Sequence, residues 1–296
     1  MSRAEARRQG TVARSVFSEG PGLHTGKSHR VTINAADAGH GIVFRQINHK
    51  GSVTDIPAHW KYSKELPLCT CLAKGSKAQV RTVEHLLAAC YACGVDNALI
   101  EVHGREIPIL DGSAGPWIDL IRDAGVKRLD APRRTIKVTK EVLVEEGRRQ
   151  IRFSPSLRLG IRLRTSVRGM GTFHWKGPMN RKIFTEQISR ARSFGSMRHG
   201  LLAKIFTRFH RDPLCQGANL KTIVAVTRKR VVNPEGLRSP NEFARHRVLD
   251  LMGDFMLGGT DIVALVTARS PVHSLNHAAI AALMQDPTAW EEVPAS

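Results

Sequence analysis

Apolar residues in the first part of the chain follow two different periods. In residues 29–34 and 97–102 they fall in short β-type patterns, which predict strands. Between these segments, residues 82–92 have apolar side chains every three or four positions, which predicts a helix with Thr82 as its N-cap. Residues 116–124 predict a second helix that ends at Gly125.

The pattern starts again after the Ala131-Pro132 dipeptide. The second half adds predicted strands at residues 135–144, 149–153, 157–164, 221–227 and 262–267, and predicted helices at residues 241–257 and 273–285. The first two of these strands are expected to pair as a hairpin. Because each half contains strands followed by helices, the sequence predicts an α+β fold with two similar sheet/helix domains, residues 1–129 and 130–296.

The sequence has the features expected of a cytoplasmic protein. Its apolar runs are too short to span a bilayer. The Arg-rich start, residues 1–14, is not followed by the apolar stretch that a secretory signal contains. An odd number of cysteines, five, without framework spacing argues against a secreted domain held by disulfides.

Two close cysteine pairs, Cys69/Cys71 and Cys90/Cys93, have spacings that structural zinc or redox sites also use. Cys90 and Cys93 fall within an apolar helical pattern, which fits ordinary buried thiols better. We therefore expect reduced and buried cysteines at these two positions.

The chain carries 45 Lys and Arg residues against 26 Asp and Glu residues, a formal net charge of +19. Such a surface attracts polyanions, whether nucleotides, nucleic acid or anionic lipid headgroups. The basic residues are scattered and only 5% of residues are aromatic, which argues against a nucleic-acid partner. A peripheral contact with an anionic membrane surface stays open, and nothing in the sequence sets the oligomeric state.

The predicted helix of residues 241–257 carries three polar side chains at intervals of one turn. His246, Asp250 and Asp254 are spaced i, i+4 and i+8, so they share one face. A histidine and a carboxylate one turn apart can bind one metal ion, and both are ordinary zinc ligands. The same spacing fits the solvated polar face of a helix, and spacing alone does not decide between the two.

Glu84 and His85 lie near the start of the predicted helix of residues 82–92. Neighbouring side chains on a helix point about 100° apart, so one can ligate a metal while the other acts on a water molecule beside it. A catalytic zinc site needs three protein ligands and one open position, and His85, His246 and Asp250 supply three. Taken alone, a histidine in an apolar helix is more often a satisfied core residue.

His273 follows the predicted strand of residues 262–267. A histidine positioned by a rigid strand end suits proton transfer, because its pKa lies near neutrality. A histidine on a surface loop would give the same pattern, so spacing leaves this position open.

Six segments, in order along nearly the whole chain, resemble the UDP-3-O-acyl-N-acetylglucosamine deacetylase family, zinc enzymes of lipid A biosynthesis. The segments are GPGLHTG at residues 20–26, LCTCL at 68–72, TVEHL at 82–86, EIPILDGSA at 106–114, QISRARSFG at 187–195 and HRVLDLMGD at 246–254. The resemblance implies that His85, His246 and Asp250 hold a zinc ion. It also implies that Glu84 is the general base and His273 the general acid.

The resemblance extends to residues around this centre. Asp254 would orient or charge the ring of His273. Ser193 stands where the family usually has threonine, and either hydroxyl can donate to a developing oxyanion. Arg247 stands where the family usually has lysine; it keeps the positive charge but has a bulkier, planar donor group.

Three further residues are candidates for contact with the substrate. The resemblance implies that this substrate is a UDP-linked acylated amino sugar. Arg149 matches a basic position on the substrate side, Arg269 is a second basic candidate nearby, and Phe194 follows Ser193 in the matching segment.

The family fold has two domains, each a sheet layered on a pair of helices, with the helices facing each other and the active site between the domains. Each domain carries a small insert, here expected near residues 46–67 and near residues 196–217. The second insert would be a βαβ piece that forms the passage for the acyl chain. Its apolar residues suit that role and suit an ordinary helix face equally well: Leu201, Leu202, Ile205 and Phe206.

The chain departs from the family pattern at the expected rim of the substrate site. Residues 163–169 read LRTSVRG where the family carries an Asp-Phe-x-His-Pro type of segment. The family's Lys-Ser-Gly-His becomes Ser270-Pro271-Val272-His273, which removes a lysine associated with the sugar nucleotide. The zinc-site residues are intact, whereas the substrate-binding rim is altered.

We therefore expect a zinc amidohydrolase that removes the N-acetyl group of UDP-3-O-acyl-N-acetylglucosamine and releases acetate. One alternative is a diverged paralogue that deacetylates a different N-acetylated, anionic substrate. Another is a non-catalytic basic binding protein on the same scaffold. The second alternative predicts no catalysis, and the complete set of candidate residues argues against it.

Overall fold

The computed structural model describes residues 8–295; the first seven residues of the Arg-rich start, and position 296, lie outside the described part. Within the described residues the chain forms six α-helices and twenty strands, and the strands make six sheets, none of them closed into a barrel. This mixture confirms the predicted α+β fold.

A five-stranded sheet in the first half has the strand order β2-β3-β9-β4-β5. Its strands are β2 (Val16–Pro21), β3 (Ser28–Ala35), β4 (Ile42–Ile47), β5 (Val53–Pro57) and β9 (Ala98–His103). The central strand β9 pairs in parallel with β4 and antiparallel with β3. Strands β3 and β9 confirm the strands predicted at residues 29–34 and 97–102.

A second five-stranded sheet has the order β12-β13-β19-β14-β15. Its strands are β12 (Val142–Glu146), β13 (Arg149–Ser154), β14 (Gly160–Val167), β15 (Gly171–Pro178) and β19 (Leu265–Arg269). The last strand is again central, parallel to the third and antiparallel to the second. The two sheets thus share one topology, and β12 and β13 form the predicted hairpin.

The described residues also form four smaller sheets. They contain β1 (Arg8–Val12) with β10 (Val126–Pro132); β6 (Ser63–Lys64), β7 (Cys71–Lys74) and β8 (Ala78–Arg81); β11 (Arg134–Val138), β18 (Asp261–Val263) and β20 (Trp290–Pro294); and β16 (Phe194–Ser196) with β17 (Val224–Val226).

The helices provide the layer that carries the candidate site. They are α1 (Glu84–Cys93), α2 (Gly115–Ala124), α3 (Arg181–Ile183), α4 (Met197–Phe206), α5 (Glu242–Phe255) and α6 (His273–Gln285), with 3-10 turns at Trp60–Tyr62 and Met256–Gly258 and a π-helical turn at Phe184–Ile188. Helix α1 packs against α5, and α6 packs against α5 in turn. None of the helices in the described residues is long and apolar enough to cross a membrane.

Two predicted strands are each divided between two sheets. Residues 135–144 contain β11 and β12, and residues 262–267 contain parts of β18 and β19, which separate at the buried Ala264. An alternating pattern shows which side chains are buried, but it does not show where a strand leaves one sheet for another. The strand predicted at residues 221–227 is shorter than expected and covers only β17.

The predicted N-cap of α1 is wrong. The helix begins at Glu84, and Thr82 lies two residues earlier with a φ of +59°. The Thr82 hydroxyl donates to Glu106 Oε1 at 3.1 Å instead of capping the helix. Thr82 therefore helps to fix the turn that leads from β8 into α1.

Candidate active site

The three candidate metal ligands come from two helices that pack face to face. His85 is the second residue of α1, whereas His246 and Asp250 lie one turn apart on α5. Gly253 permits the close approach of the helices, because a Cβ at this position would overlap the carbonyl oxygen of Glu84. The packing of α1 on α5 thus joins residues that are far apart in sequence.

His85, His246 and Asp250 each offer a ligand atom, and these atoms all lie within 4.8 Å of one another. Asp250 Oδ1 lies 3.3 Å from His246 Nε2 and 3.8 Å from His85 Nε2. All three residues are buried. The alternative of a solvated polar face on α5 is therefore wrong.

The hydrogen bonds of this group leave an opening for a cation. Asp250 Oδ1 is buried and has no hydrogen-bond partner in the described part of the chain. His246 Nδ1 lies 3.0 Å from the carbonyl oxygen of Ala191, which fixes the ring and leaves Nε2 directed at Asp250. An unpaired buried carboxylate oxygen is costly unless a cation satisfies it. Two imidazoles and a carboxylate therefore form a group that can hold a metal ion.

The protonation states of this group also suit a metal ion. Burial lowers the pKa of His85 to about 3 and also lowers the pKa of His246. Burial acts to raise the pKa of Asp250, but the nearby basic groups, His246 first, hold it below its usual range. Neutral imidazoles and an ionised carboxylate are the forms in which these side chains bind metals.

Glu84 lies beside this group. Its Oε2 accepts a hydrogen bond from the Thr70 backbone N–H at 3.0 Å, and its Oε1 lies 3.9 Å from His273 Nε2. Burial raises the pKa of Glu84 to about 8, although the positive charge of His273 acts in the opposite direction. A carboxyl group with a pKa near the working pH suits proton transfer.

His273 is the first residue of α6 and is held by a fully buried carboxylate. Its Nδ1 lies 2.9 Å from Asp254 Oδ2. Burial of the ring disfavours the charged form, but the charge of Asp254 outweighs it and raises the pKa of His273 to about 10. The ring is therefore protonated at neutral pH, and its Nε2 faces Glu84.

Three side chains that the sequence did not identify complete the surroundings of Asp254. Asn276 Nδ2 donates to Oδ2 at 2.8 Å, and the Thr70 hydroxyl donates to Oδ1. His277 Nε2 lies 3.0 Å from Thr70 Oγ1 and 3.5 Å from Asp254 Oδ1. The i, i+4 spacing of His273 and His277 is a signal that points to His277, whereas no periodic pattern marks Thr70.

Ser193 and Arg247 also lie at the group. Ser193 Oγ lies 3.5 Å from His85 Nε2, and Arg247 Nη1 donates to Asp250 Oδ2 at 3.2 Å. The Arg247 guanidinium lies 4.8 Å from the centre of the Phe194 ring. The planar arginine therefore stacks on an aromatic side chain and bonds a carboxylate at the same time.

A cavity of about 1470 Å³ opens onto these residues. The candidate residues that line it are Glu84, His85, Arg149, Ser193, Phe194, His246, Arg247, Asp250 and His273. Asp254 lies behind His273 and outside the lining. Arg269 is exposed at the end of β19 and is also outside the lining. The volume exceeds that of a typical small-molecule pocket.

One part of the cavity wall is apolar and comes from the second half of the chain. It includes Met197, Leu201, Ile223 and Val226. Met197 and Leu201 belong to α4, which lies between β16 and β17 in a βαβ unit. The cavity thus joins a polar end, with ionisable residues, to an apolar end.

A buried His–His–Asp group beside a glutamate and an Asp-held histidine, all at one large cavity, is an arrangement typical of metal-dependent hydrolases. Residues 9–285 match the sequence profile of the UDP-3-O-acyl N-acetylglycosamine deacetylase family. The chain belongs to this family.

Individual relatives agree with the family assignment. A protein of Pseudoalteromonas atlantica is 34% identical over 290 residues, which cover 97% of this chain and 93% of that protein. A protein of Stenotrophomonas maltophilia is 36% identical over 299 residues, with 96% and 93% coverage. One of Cellvibrio japonicus is 37% identical over 292 residues, with 97% and 93% coverage. All three carry the name UDP-3-O-acyl-N-acetylglucosamine deacetylase.

Proposed function

We propose that this chain hydrolyses the N-acetyl group of UDP-3-O-acyl-N-acetylglucosamine and releases acetate, a step of lipid A biosynthesis. Membership of the family supports the reaction, and the names of the relatives support the substrate. The observation that carries the proposal is the position of Glu84 and His273. Both line the cavity next to the His85, His246 and Asp250 group.

Zinc is the proposed cofactor, held through His85 Nε2, His246 Nε2 and Asp250 Oδ1. When bound, a zinc ion lowers the pKa of a water molecule and polarises an amide carbonyl. Within residues 8–295, Asp250 Oδ1 has no hydrogen-bond partner, which supports this assignment, as do the lowered pKa values of the two histidines.

Glu84 is the proposed base. Its Oε2 is fixed by the Thr70 N–H, so Oε1 is the atom that accepts a proton from the attacking water. As the new C–O bond forms at the amide carbon, the carbonyl oxygen takes on negative charge. The Ser193 hydroxyl, which lies 3.5 Å from His85 Nε2, is placed to donate to this oxygen, and Arg247 adds a nearby positive charge.

His273 is the proposed acid. When the C–N bond breaks, the amine nitrogen takes the electron pair and accepts the proton from His273 Nε2. Asp254 contacts only Nδ1 of the ring, so it keeps the imidazole protonated and oriented while Nε2 stays available. This arrangement separates the residue that removes a proton from the one that supplies a proton.

Arg149 and Phe194 are the proposed substrate contacts, because both line the cavity. Substrate binding by Arg269 stays a prediction. Val272 lines the cavity beside His273, so the altered rim adjoins the space for the substrate. That position gives the diverged-paralogue alternative a structural basis.

Two further expectations belong to the proposal. The division into domains at residues 1–129 and 130–296 is supported by the matching strand order of the two five-stranded sheets. A cytoplasmic location is supported by the five cysteines, which all have free thiols.

An assay of acetate release tests the proposal. The purified chain is offered UDP-3-O-acyl-N-acetylglucosamine, the same nucleotide without its acyl chain, and other N-acetylated sugar nucleotides. The proposal predicts the highest kcat/KM for the acylated compound. A higher kcat/KM for another member of the panel would establish the diverged paralogue. No acetate from any member, together with tight and salt-sensitive polyanion binding, would establish the binding protein.

A further inference from the structure

Helix α4 and the turn that follows it expose an apolar surface that the described protein does not cover. We call this the α4 surface; it consists of Met197, Leu201, Leu202, Ile205, Phe206 and Phe209. None of the residues in α4 is buried, and Phe206 and Phe209 are 72% and 93% exposed. A helix in a globular protein normally buries its apolar stripe against the core. A contiguous apolar surface that stays exposed therefore points to a partner.

The segment that contains the α4 surface is rich in basic residues. Residues 187–234 contain ten Lys and Arg residues and only one acidic residue, Asp212. Asp212 forms an ion pair with Arg105 at 2.7 Å, so its negative charge is already paired. Arg198, Lys204 and Arg208 lie on or next to α4 and form no ion pair in the described part of the chain. The surface thus presents apolar side chains together with uncompensated positive charge.

This combination favours a lipid surface over a protein partner. Apolar residues of an interfacial helix enter the boundary between headgroups and acyl chains, while Lys and Arg contact anionic headgroups. A second copy of this chain would bring two positive surfaces together, which like-charge repulsion disfavours. An anionic bilayer complements both the charge and the apolar character.

The α4 surface is also continuous with the apolar end of the cavity. Leu201 is 57% exposed and yet lines the cavity, as do Met197 and Ala203. One helix therefore forms part of the cavity wall and part of the exposed surface. A molecule with a long acyl chain can pass from a bilayer to the cavity along α4 without exposing that chain fully to water.

We propose that the α4 surface docks this chain onto an anionic lipid bilayer and places the apolar end of the cavity at the level of the headgroups. The entry of an acylated substrate from the bilayer rests on the proposed function. The docking itself does not, because it depends only on the exposed residues of α4 and its flanking turn.

Co-sedimentation with vesicles tests the docking. The full chain should bind vesicles of phosphatidylcholine with 30% phosphatidylglycerol, bind pure phosphatidylcholine vesicles at least about ten-fold more weakly, and lose affinity as salt is raised. The variant F206S/F209S should bind the anionic vesicles at least about ten-fold more weakly, because two large apolar side chains no longer enter the bilayer. Neither phenylalanine lines the cavity of the described residues, so the variant leaves the cavity wall unchanged.

Leu157→Ser provides the apolar control, since Leu157 is 94% exposed but lies far along the chain from α4. This variant should bind like the unmodified chain. The charge variant K204Q/R208Q should bind about ten-fold or more weakly. R162Q/K176Q, which removes two exposed charges from the paired strands β14 and β15, should bind almost normally.

Three results would overturn the proposal: no binding of the full chain to the anionic vesicles at low salt, equal binding by F206S/F209S and L157S, or a stable dimer in light scattering that F206S/F209S abolishes. Thermal unfolding of each variant checks that it is folded. His246→Ala separates the two proposals, because it should lose deacetylation and still bind vesicles. Failure of docking in an active enzyme would refute the docking alone.

Discussion

The backbone of Gly253 in α5 lies directly against the carbonyl group of Glu84 in α1. A Cβ at position 253 would overlap the carbonyl oxygen of Glu84 and lie 2.9 Å from the carbonyl carbon. Gly253 sits between Asp250 and Asp254 on α5, and Glu84 precedes His85 on α1. This contact therefore sets the distance between the two helices at the point where each presents its reactive side chains.

Replacing Gly253 by alanine should destabilise the protein and weaken the site. Alanine in a helix interior usually stabilises by about 0.5–1 kcal/mol relative to glycine. Here the methyl group must push α5 away from α1, and such overpacking costs about 1–3 kcal/mol. Denaturant unfolding should therefore show a lower free energy of unfolding for G253A, with weaker metal retention and lower kcat/KM.

Gly200→Ala is the matched control for stability. Gly200 also lies in a helix, α4, but a Cβ there meets no atom of the described residues within 4 Å. This variant should be as stable as the unmodified chain or more stable. Equal stability changes in the two variants would show that the contact between Gly253 and Glu84 is not tight.

Glu84 and His273 should both be required for turnover, and neither should be required for metal binding. Loss of a general base or acid typically lowers the rate about 10²–10⁴-fold. Glu84→Gln and His273→Ala should each lose activity on that order and keep the metal content of the unmodified chain. Steady-state kinetics and elemental analysis measure the two quantities. Near-full kcat in His273→Ala would show that another group supplies the proton.

The pH dependence of activity should report the pair formed by His273 and Asp254. His273 must be protonated to act as an acid, and Asp254 raises its pKa to about 10, so this contribution to activity should persist through neutral pH and fall as pH approaches 10. In Asp254→Asn the charge is lost, whereas burial of the ring, which lowers the pKa, remains. The alkaline limb of the profile should therefore move toward neutral pH.

Asn276→Ala is the control for this shift. It removes a hydrogen bond at 2.8 Å to Asp254 Oδ2 but keeps the carboxylate charge. The alkaline limb of its pH–activity profile should stay close to that of the unmodified enzyme. An unchanged alkaline limb in Asp254→Asn would show that His273 is not the group that titrates there.

The cysteines of α1 should contribute to stability and not to metal binding. Cys90 is fully buried and Cys93 is partly buried, and both are free thiols. Burial raises the pKa of Cys93 to about 11 and also raises that of Cys90, which disfavours the thiolate form that binds metals. Changing both to alanine should lower the free energy of unfolding by about 1–3 kcal/mol and leave the metal content unchanged. A drop in metal content would favour a structural metal site at these cysteines.

Periodic patterns were sufficient to predict the helices that carry the site. The i, i+4 spacing of His246 and Asp250 placed both on one face of α5, and the range of α6 was predicted as residues 273–285. Periodicity shows which face of a single element is buried in the core. For this reason it predicted these helices correctly. The predicted stop of α2 at Gly125 is also confirmed.

Periodic patterns did not predict the features that depend on tertiary contacts. Thr70 reaches Asp254 across 184 positions of the sequence, and it lies between two cysteines in a segment without helical or strand periodicity. Thr82 resembled an N-cap by residue type, but its hydroxyl bonds Glu106 instead. In both cases the position of a polar side chain depends on a partner from a distant segment.

Metal content measured together with acetate release tests the central claim most directly. The chain is purified without added metal, analysed for elements, and assayed with UDP-3-O-acyl-N-acetylglucosamine, alongside His246→Ala. The account predicts one zinc ion per chain with acetate release in the unmodified protein, and loss of both in the variant, because His246 supplies one of three ligands. An active chain that contains no metal, or a His246→Ala variant with unchanged metal content, would contradict it.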